Sequence, residues 1–427
     1  MKSEENAIPG KVKVEPQFAA LVAIDWADQE HVWCLQTVGS EQREQGKVKN
    51  TPEEIEAWIG RLCQRFPTAP IAVAIEKCRG LLILLLSKYA QLHLYPIPPQ
   101  AAADFRKALH PSGATDDGRD ADALLEMLCR HRSHLRRWSP DTEQTRAVQN
   151  LVEERRRLVD EKTHLTNCLT DKLKIYFPQM LAWFDRLDSK LVCTLLQRWP
   201  TLPKLQKVGA SRLRAFFRKH HCRGELIESR ITGITQAVPA IVDEPVIQAQ
   251  AAVVQVLARM LAVAVEGVHE LDRQVEEAVN VHPDFFLFDS FPGAGAVMAP
   301  RLLAALGSQR ERFSNANEVQ SLAGIAPVRE QSGRTTWIHF RSSCPKFLRQ
   351  TFHEWAGHSI AQCAWAREYY QQQRARGKGH HAAVRALAFK WIRILFRCWK
   401  DRVPYDENRY LESLAKRTRP LATGVGL

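Results

Sequence analysis

The chain of 427 residues has no CxxC pair and no Cys/His cluster at zinc spacing, although 10 Cys are scattered along it. That excludes zinc-ribbon and dithiol redox chemistry, and the thiols are predicted to be reduced and mostly buried. The opening stretch, MKSEENAIPGKVKVEPQ, has no apolar core, so neither a signal peptide nor a transit peptide is expected and the protein should be cytoplasmic. A long apolar run free of polar residues is also missing. The nearest candidate, AQAAVVQVLARMLAVAVEGV, contains Gln255, Arg259 and Glu266 and continues into a helical repeat, so no membrane span is predicted. Acids are in the minority: 47 Asp and Glu against 60 Lys and Arg leave a formal net charge of +13. Such a balance points to a polyanionic partner, and without any lipid signal nucleic acid is favoured.

What is present is enough for two or three domains, since 45% of the residues are hydrophobic and 11 are Trp. Residues 1–16 read as a flexible tail. From residue 17, LVAID and HVWCLQ read as a strand hairpin, with QGKVKN as a possible third strand. TPEEIEAWIGRLCQRF reads as a helix capped by Thr51, PIAVAIE as a buried strand, GLLILLLSKYAQ as a buried helix and LHLYPIPP as a strand. Residues 17–138 therefore form an α/β layer. Residues 139–281 turn helical. Leu151, Leu158 and Leu165 recur every seven residues, as do Ile247, Val254, Leu261, Val268 and Val275, with Leu257, Ala264, Leu271 and Ala278 in the second seam. That spacing predicts a coiled coil, within the chain or between chains, interrupted by a small helical insert at 181–243. Residues 282–415 form a helical C-terminal region, and 416–427 a loose tail.

Five carboxylates crowd TDDGRDADALLEML in this basic chain. Asp117 and Asp120 stand three apart at the start of a predicted helix, while Asp25 and Glu76 end two apolar strands. If those strands are neighbours, both acids leave one sheet edge and an i, i+3 pair can face them. Four such carboxylates repel unless a cation joins them, and hard oxygen ligands suit Mg²⁺ or Mn²⁺. Two such ions can clamp a phosphodiester. Strand-end and helix-start acids also serve as caps and solvated groups, so spacing leaves both readings open. Asp116 is a helix-start charge, and Asp122 and Glu126 face solvent or neighbouring bases.

In PVREQSGRT, Ser332 lies near Arg329 and Arg334, which could hold a phosphate beside a serine nucleophile, although Ser-Gly is most often a turn. Gly293 and Gly295 precede a helix in FPGAGAVMAPRLL, either to approach a nucleic-acid backbone or simply to turn the chain. Downstream, Trp365, Tyr369, Tyr370 and Trp391 alternate with bases including Arg385, Lys390 and Arg393, a mixture suited to backbone contact and base stacking. CRHRSHLRRW adds a basic patch beside the acids.

In order and spacing, AIDWA, AIE, TDDGRDA, FPGAGAVMAPRLLAALG and LAGIAPVREQSG resemble the DEDD-type transposases of the one-ten family of bacterial insertion sequences, relatives of the Piv DNA invertases. The resemblance implies an N-terminal RNase H-like (RuvC-like) domain, a coiled-coil middle and a helical transposase domain bearing the serine. It implies that Asp25, Glu76, Asp117 and Asp120 bind Mg²⁺ or Mn²⁺ and that Ser332 attacks DNA to form a phosphoserine link. DNA, a structured noncoding bridge RNA and further copies of the chain, as a dimer or tetramer, are the implied partners. Two other functions fit the same residues: a metal-only, structure-specific RuvC-like nuclease, and a non-catalytic nucleic-acid-binding scaffold.

Overall fold

The computed structural model describes residues 17–76, 80–109 and 117–418. The chain divides at Pro140/Asp141 into two units.

The first unit is built on β1 (Ala20–Asp25), β2 (Glu30–Thr37), β3 (Arg43–Lys49), β4 (Ile71–Ile75) and β5 (Leu92–Pro96), in the sheet order β3-β2-β1-β4-β5. Strands β1 to β3 are antiparallel neighbours, and β4 and β5 continue the sheet parallel to β1. The third strand expected at QGKVKN is therefore present. Its glycine has a reason: Gly46 lies opposite Trp33, whose indole fills the space a Cβ would need.

Alternation along the strands divides the core. Ala20, Val22 and Ile24 of β1 pack with Val73 and Ile75 of β4 against α1 (Pro52–Arg65) and α2 (Leu81–Leu86). Leu21 and Ala23 face the other way with Ala72 and Ala74, against Leu124, Leu125 and Leu128 of a later helix, α4 (Asp117–His131). The alanines on that side let α4 lie close to the sheet. Between β5 and α4 runs α3 (Pro99–Leu109), which has no fully buried residue. The buried helix expected at GLLILLLSKYAQ is only six residues long, and its Leu81 and Leu84 are exposed because one short turn cannot bury every face.

Among the described residues the second unit is helical apart from one hairpin. Two long helices, α5 (Glu143–Tyr176) and, after the insert, α11 (Glu244–Asn280), run in opposite senses: Gln144 donates to the Val281 carbonyl, Arg155 pairs with Asp272, and Leu158 meets Gly267. Between them lie α6 (Gln179–Trp183), α7 (Lys190–Arg198), α8 (Leu202–Gln206), α9 (Ala210–Lys219) and α10 (Gly224–Gln236). These wrap one core around Leu165, Leu169, Val254 and Leu261. The other ends of the pair, Val148, Val152, Val275 and Val279, join a second core. Val254, Leu261, Val268 and Val275 are buried at their spacing of seven, but Leu257 and Leu271 are only half-buried. Ala264 of the expected second seam is buried, and the further buried row is Ala251, Ala258, Val265 and Val279, where small residues admit the neighbouring helices. Among the described residues α11 is the one helix long and apolar enough to cross a membrane, but Arg259 and Glu266 interrupt it and its apolar rows serve these two cores.

The second core is completed by α12 (Phe285–Asp289), α13 (Gly295–Leu306), α14 (Ala316–Leu322), α15 (Lys346–Gln362), α16 (Ala364–Ala375), α17 (His380–Asp401) and α18 (Glu407–Thr418). Between α14 and α15 stands the hairpin β6 (Val328–Ser332) and β7 (Thr335–His339). The tails expected at 1–16 and beyond 418 lie outside the described residues, whereas α18 continues through residues 416–418. All described cysteines are free thiols, but only Cys34, Cys193 and Cys363 are buried, fewer than expected.

Candidate functional site

Strands β1 and β4 are parallel neighbours with Ile24 opposite Ile75, so Asp25 and Glu76 leave the sheet side by side at the carboxyl ends of the strands. Asp120 lies in the first turn of α4, which packs along the sheet face through Leu124, Leu125 and Leu128. Asp25, Glu76 and Asp120 line one pocket with Phe105, Arg106 and Met127. For Asp117 only the backbone at the start of α4 is described, and Asp116 lies outside the described residues.

Arg106, on α3, was not expected at this site. Its guanidinium is ion-paired with Asp120 Oδ2. It is held more firmly charged than an ordinary arginine, first by the Asp120 hydrogen bond and charge and, more weakly, by Glu76 and Asp25. The other Asp120 oxygen, Oδ1, is buried without a hydrogen-bond partner. Buried carboxylate oxygens are normally satisfied, so this orphan suits a ligand that donates positive charge. Among the described residues, no three His, Cys, Asp or Glu side chains are drawn close enough to hold an ion as they stand. The donor set is nonetheless one that Mg²⁺ or Mn²⁺ would accept, all oxygen and anionic.

The remaining acids of the run do other work. Asp122 accepts a 2.7 Å ion pair from Arg43, and Glu126 pairs with the same guanidinium and with Arg130. They tie α4 to β3, as their expected pairing with bases requires.

Ser332 ends β6 opposite Thr335, at a two-residue turn whose first residue, Gly333, has φ +57°. Glycine accepts this left-handed backbone freely, and a glycine at that place matches the right-handed twist of a hairpin. Ser332 is exposed. Alternation puts it on the ribbon face of Glu330 and Trp337, whereas Arg329 projects from the opposite face and donates to Gln331. Arg334 occupies the turn itself.

Gly293 has φ +75°, and a Cβ there would come within 2.6 Å of the Ser359 backbone nitrogen. Its amide donates to Gln362 Oε1 at 2.8 Å, so this glycine seats the start of α13 against α15. Gly295, at φ +50°, has open space around it.

The stacking expected of Trp365 and Trp391 does not hold, because helical periodicity turns both indoles into the core. Lys390 lies over Trp365 and Tyr369, and burial lowers its pKa below that of an ordinary lysine. Arg393 is exposed. Arg385 is drawn to Phe340, at the foot of the hairpin.

The chain is similar to known proteins over most of its length. Residues 22–178 match a family described as transposase, of the DEDD IS110 kind, and residues 287–371 match one described as transposase, IS116/IS110/IS902 family. The chain is 28% identical over 412 residues to the mini-circle putative transposase for IS117 of Streptomyces coelicolor, covering 92% of this chain and 97% of that protein. It is 28% identical over 370 residues to the insertion element IS110 uncharacterized 43.6 kDa protein of the same organism, covering 84% and 89%. A third relative, the insertion element IS900 uncharacterized 42 kDa protein of Mycobacterium paratuberculosis, is 28% identical over 329 residues, covering 76% and 81%.

Proposed function

Because the chain belongs to the IS110 family of transposases, we propose that it cuts and rejoins DNA as the site-specific recombinase of an insertion sequence. The observation that carries the reading is the meeting of Asp25, Glu76 and Asp120 at one sheet edge, on elements far apart in sequence. The strand order β3-β2-β1-β4-β5, with an antiparallel first half, supports reading this unit as an RNase H-like domain of the RuvC-like branch.

In the proposed site Asp25, Glu76 and Asp120, with Asp117 as a fourth carboxylate, hold Mg²⁺ or Mn²⁺. The ion supplies charge stabilisation to a phosphodiester under attack. Asp120 holds Arg106 until a cation or a phosphate competes for it. Ser332 Oγ is the proposed nucleophile, forming a phosphoserine link as the DNA 3′ or 5′ oxygen leaves and takes a proton. Its place at an exposed turn leaves the hydroxyl open to a bulky substrate. Arg334, in the same turn, is placed to accompany the phosphate, and Arg329, on the other ribbon face, to meet a neighbouring one. Lys390 is less available, being folded onto Trp365 and Tyr369.

DNA is the primary partner, and a structured bridge RNA is the second polyanion proposed for a chain of net charge +13. Further copies would join through a coiled coil involving α11, whose outward Val253, Val256, Met260 and Val263 repeat at spacings of three and four. A metal-only nuclease is the second reading, favoured by Ser332 standing in an ordinary hairpin turn. The test is cleavage of element-end DNA in Mg²⁺. Asp25→Asn and Ser332→Ala are each expected to lower strand transfer by about a thousandfold or more, as loss of an essential catalytic group does. Cleavage persisting at full rate in Ser332→Ala would establish the nuclease instead. Full activity in Asp25→Asn would remove the acids from the chemistry.

A further inference from the structure

The hairpin β6–β7 is unusual for so short a sheet: nearly every residue on both of its faces is exposed. Trp337, Ile338 and Phe340 are 54%, 71% and 41% exposed, and alternation sends Trp337 and Ile338 to opposite sides. A two-stranded ribbon with apolar groups on both faces invites a partner that encloses it rather than one that covers a single side.

The surroundings state the partner's charge. At the hairpin's foot Phe340 lies between Arg349 of α15 and Arg385 of α17, each guanidinium 4.9 Å from the ring centroid. Arg329 and Arg334 project from the ribbon and its turn, and its one carboxylate, Glu330, is paired with His339. Glu354, on α15, is taken by Arg156 and Arg301. The element is therefore a ribbon with apolar faces standing on a shelf of arginines.

We propose that this hairpin enters the major groove of B-form DNA, with Trp337 and Ile338 against the groove and Arg349 and Arg385 on the flanking phosphates. Paired strands lie about 4.8 Å apart, so the ribbon with its side chains fits a groove about 12 Å wide that is known to admit two-stranded ribbons. The major groove of an A-form RNA duplex is too deep and narrow for it, which favours DNA over RNA. The inference deepens the proposed reading, since Ser332 stands at the ribbon's tip and would be carried to the duplex. Binding itself requires neither the serine nor a cation.

The test is anisotropy of a fluorescein-labelled DNA duplex, and of an RNA duplex of the same sequence, with the full chain in EDTA and a Ser332→Ala background. Replacing both Trp337 and Ile338 with Ser is expected to weaken DNA binding about tenfold or more while leaving its salt dependence unchanged. Arg349→Gln with Arg385→Gln is expected to flatten the slope of log affinity against log salt by about two, close to one per lost phosphate contact. Glu330→Gln is expected to tighten binding, and thermal unfolding of each variant identifies any that fails to fold. DNA affinity and slope unchanged in folded variants of both pairs would overturn the proposal, as would a loss confined to the RNA duplex. Because cleavage is not measured, failure of the serine or metal chemistry leaves this outcome intact, and the reverse also holds.

Discussion

At the residue scale the most informative group is Arg106. It pairs with Asp120 and stands near Glu76 and Asp25, so it neutralises acids that a divalent cation would also neutralise. A cation and Arg106 then compete for the same carboxylate. Arg106→Gln is expected to tighten Mn²⁺ binding several-fold in an electron paramagnetic resonance titration, and Asp120→Asn to weaken it by roughly tenfold, since removing one of a few anionic ligands costs about that much. Equal Mn²⁺ affinity in wild type and Arg106→Gln would mean that the arginine does not compete. Asp25 and Glu76 were legible in the sequence because each ends an apolar strand, and the Asp-x-x-Asp spacing marked the third element. Arg106 was not legible, because nothing in the sequence couples one basic residue of α3 to Asp120 on the next helix; only the fold brings the two together. Trp365 and Trp391 mislead for the opposite reason: their spacing beside basic residues suits stacking, yet the same helices need large apolar groups for the core.

At the scale of elements, two features set how the C-terminal helices and the insert are held. Gly293→Ala is expected to destabilise the protein by about 2 kcal/mol or more, combining a left-handed backbone with displacement of α15. Gly295→Ala, with open space around it, should cost about 1 kcal/mol, the price of the backbone conformation alone. Urea unfolding monitored by circular dichroism compares the two, and equal losses would remove the close approach to Ser359 as a cause. In the insert, burial works to raise the Asp188 carboxyl, but Arg186 and Lys162 bring it down to about 2. A folded pKa below the unfolded one gives stabilisation that is present above about pH 4 and lost as pH falls through the folded value. Asp188→Asn should therefore cost about 1 kcal/mol at pH 6, after allowance for solvent screening of the exposed Arg186. The difference from wild type should shrink toward pH 2, and a difference independent of pH would point to packing instead. The long helices were legible from their repeats. The β6–β7 ribbon was not, because VREQS and TTWIH bury no common face and so lack the alternation by which strands are recognised.

For the whole molecule, the sequence foretold an α/β unit followed by helices, since apolar strands and helical repeats each follow from where side chains must be buried. Of the expected heptad rows on α11, Val254, Leu261, Val268 and Val275 are buried while Ile247 is half-buried, and in the second row Ala264 alone is buried, because partners within the chain choose which residues they approach. In the proposed reading a basic chain of net charge +13 uses a cluster of acids to receive cations: Asp120 is paired with Arg106, a divalent ion would take its place, and the bases would meet phosphates. The central claim joins those acids to a serine nucleophile in another unit of the chain. It is tested most directly by trapping the protein on element-end DNA in Mg²⁺, digesting the complex and locating any nucleotide-bearing peptide by mass spectrometry. The account predicts a phosphodiester-linked nucleotide on Ser332, absent in Asp25→Asn. Cleaved DNA with no modified peptide, or a nucleotide attached to another residue, would contradict it.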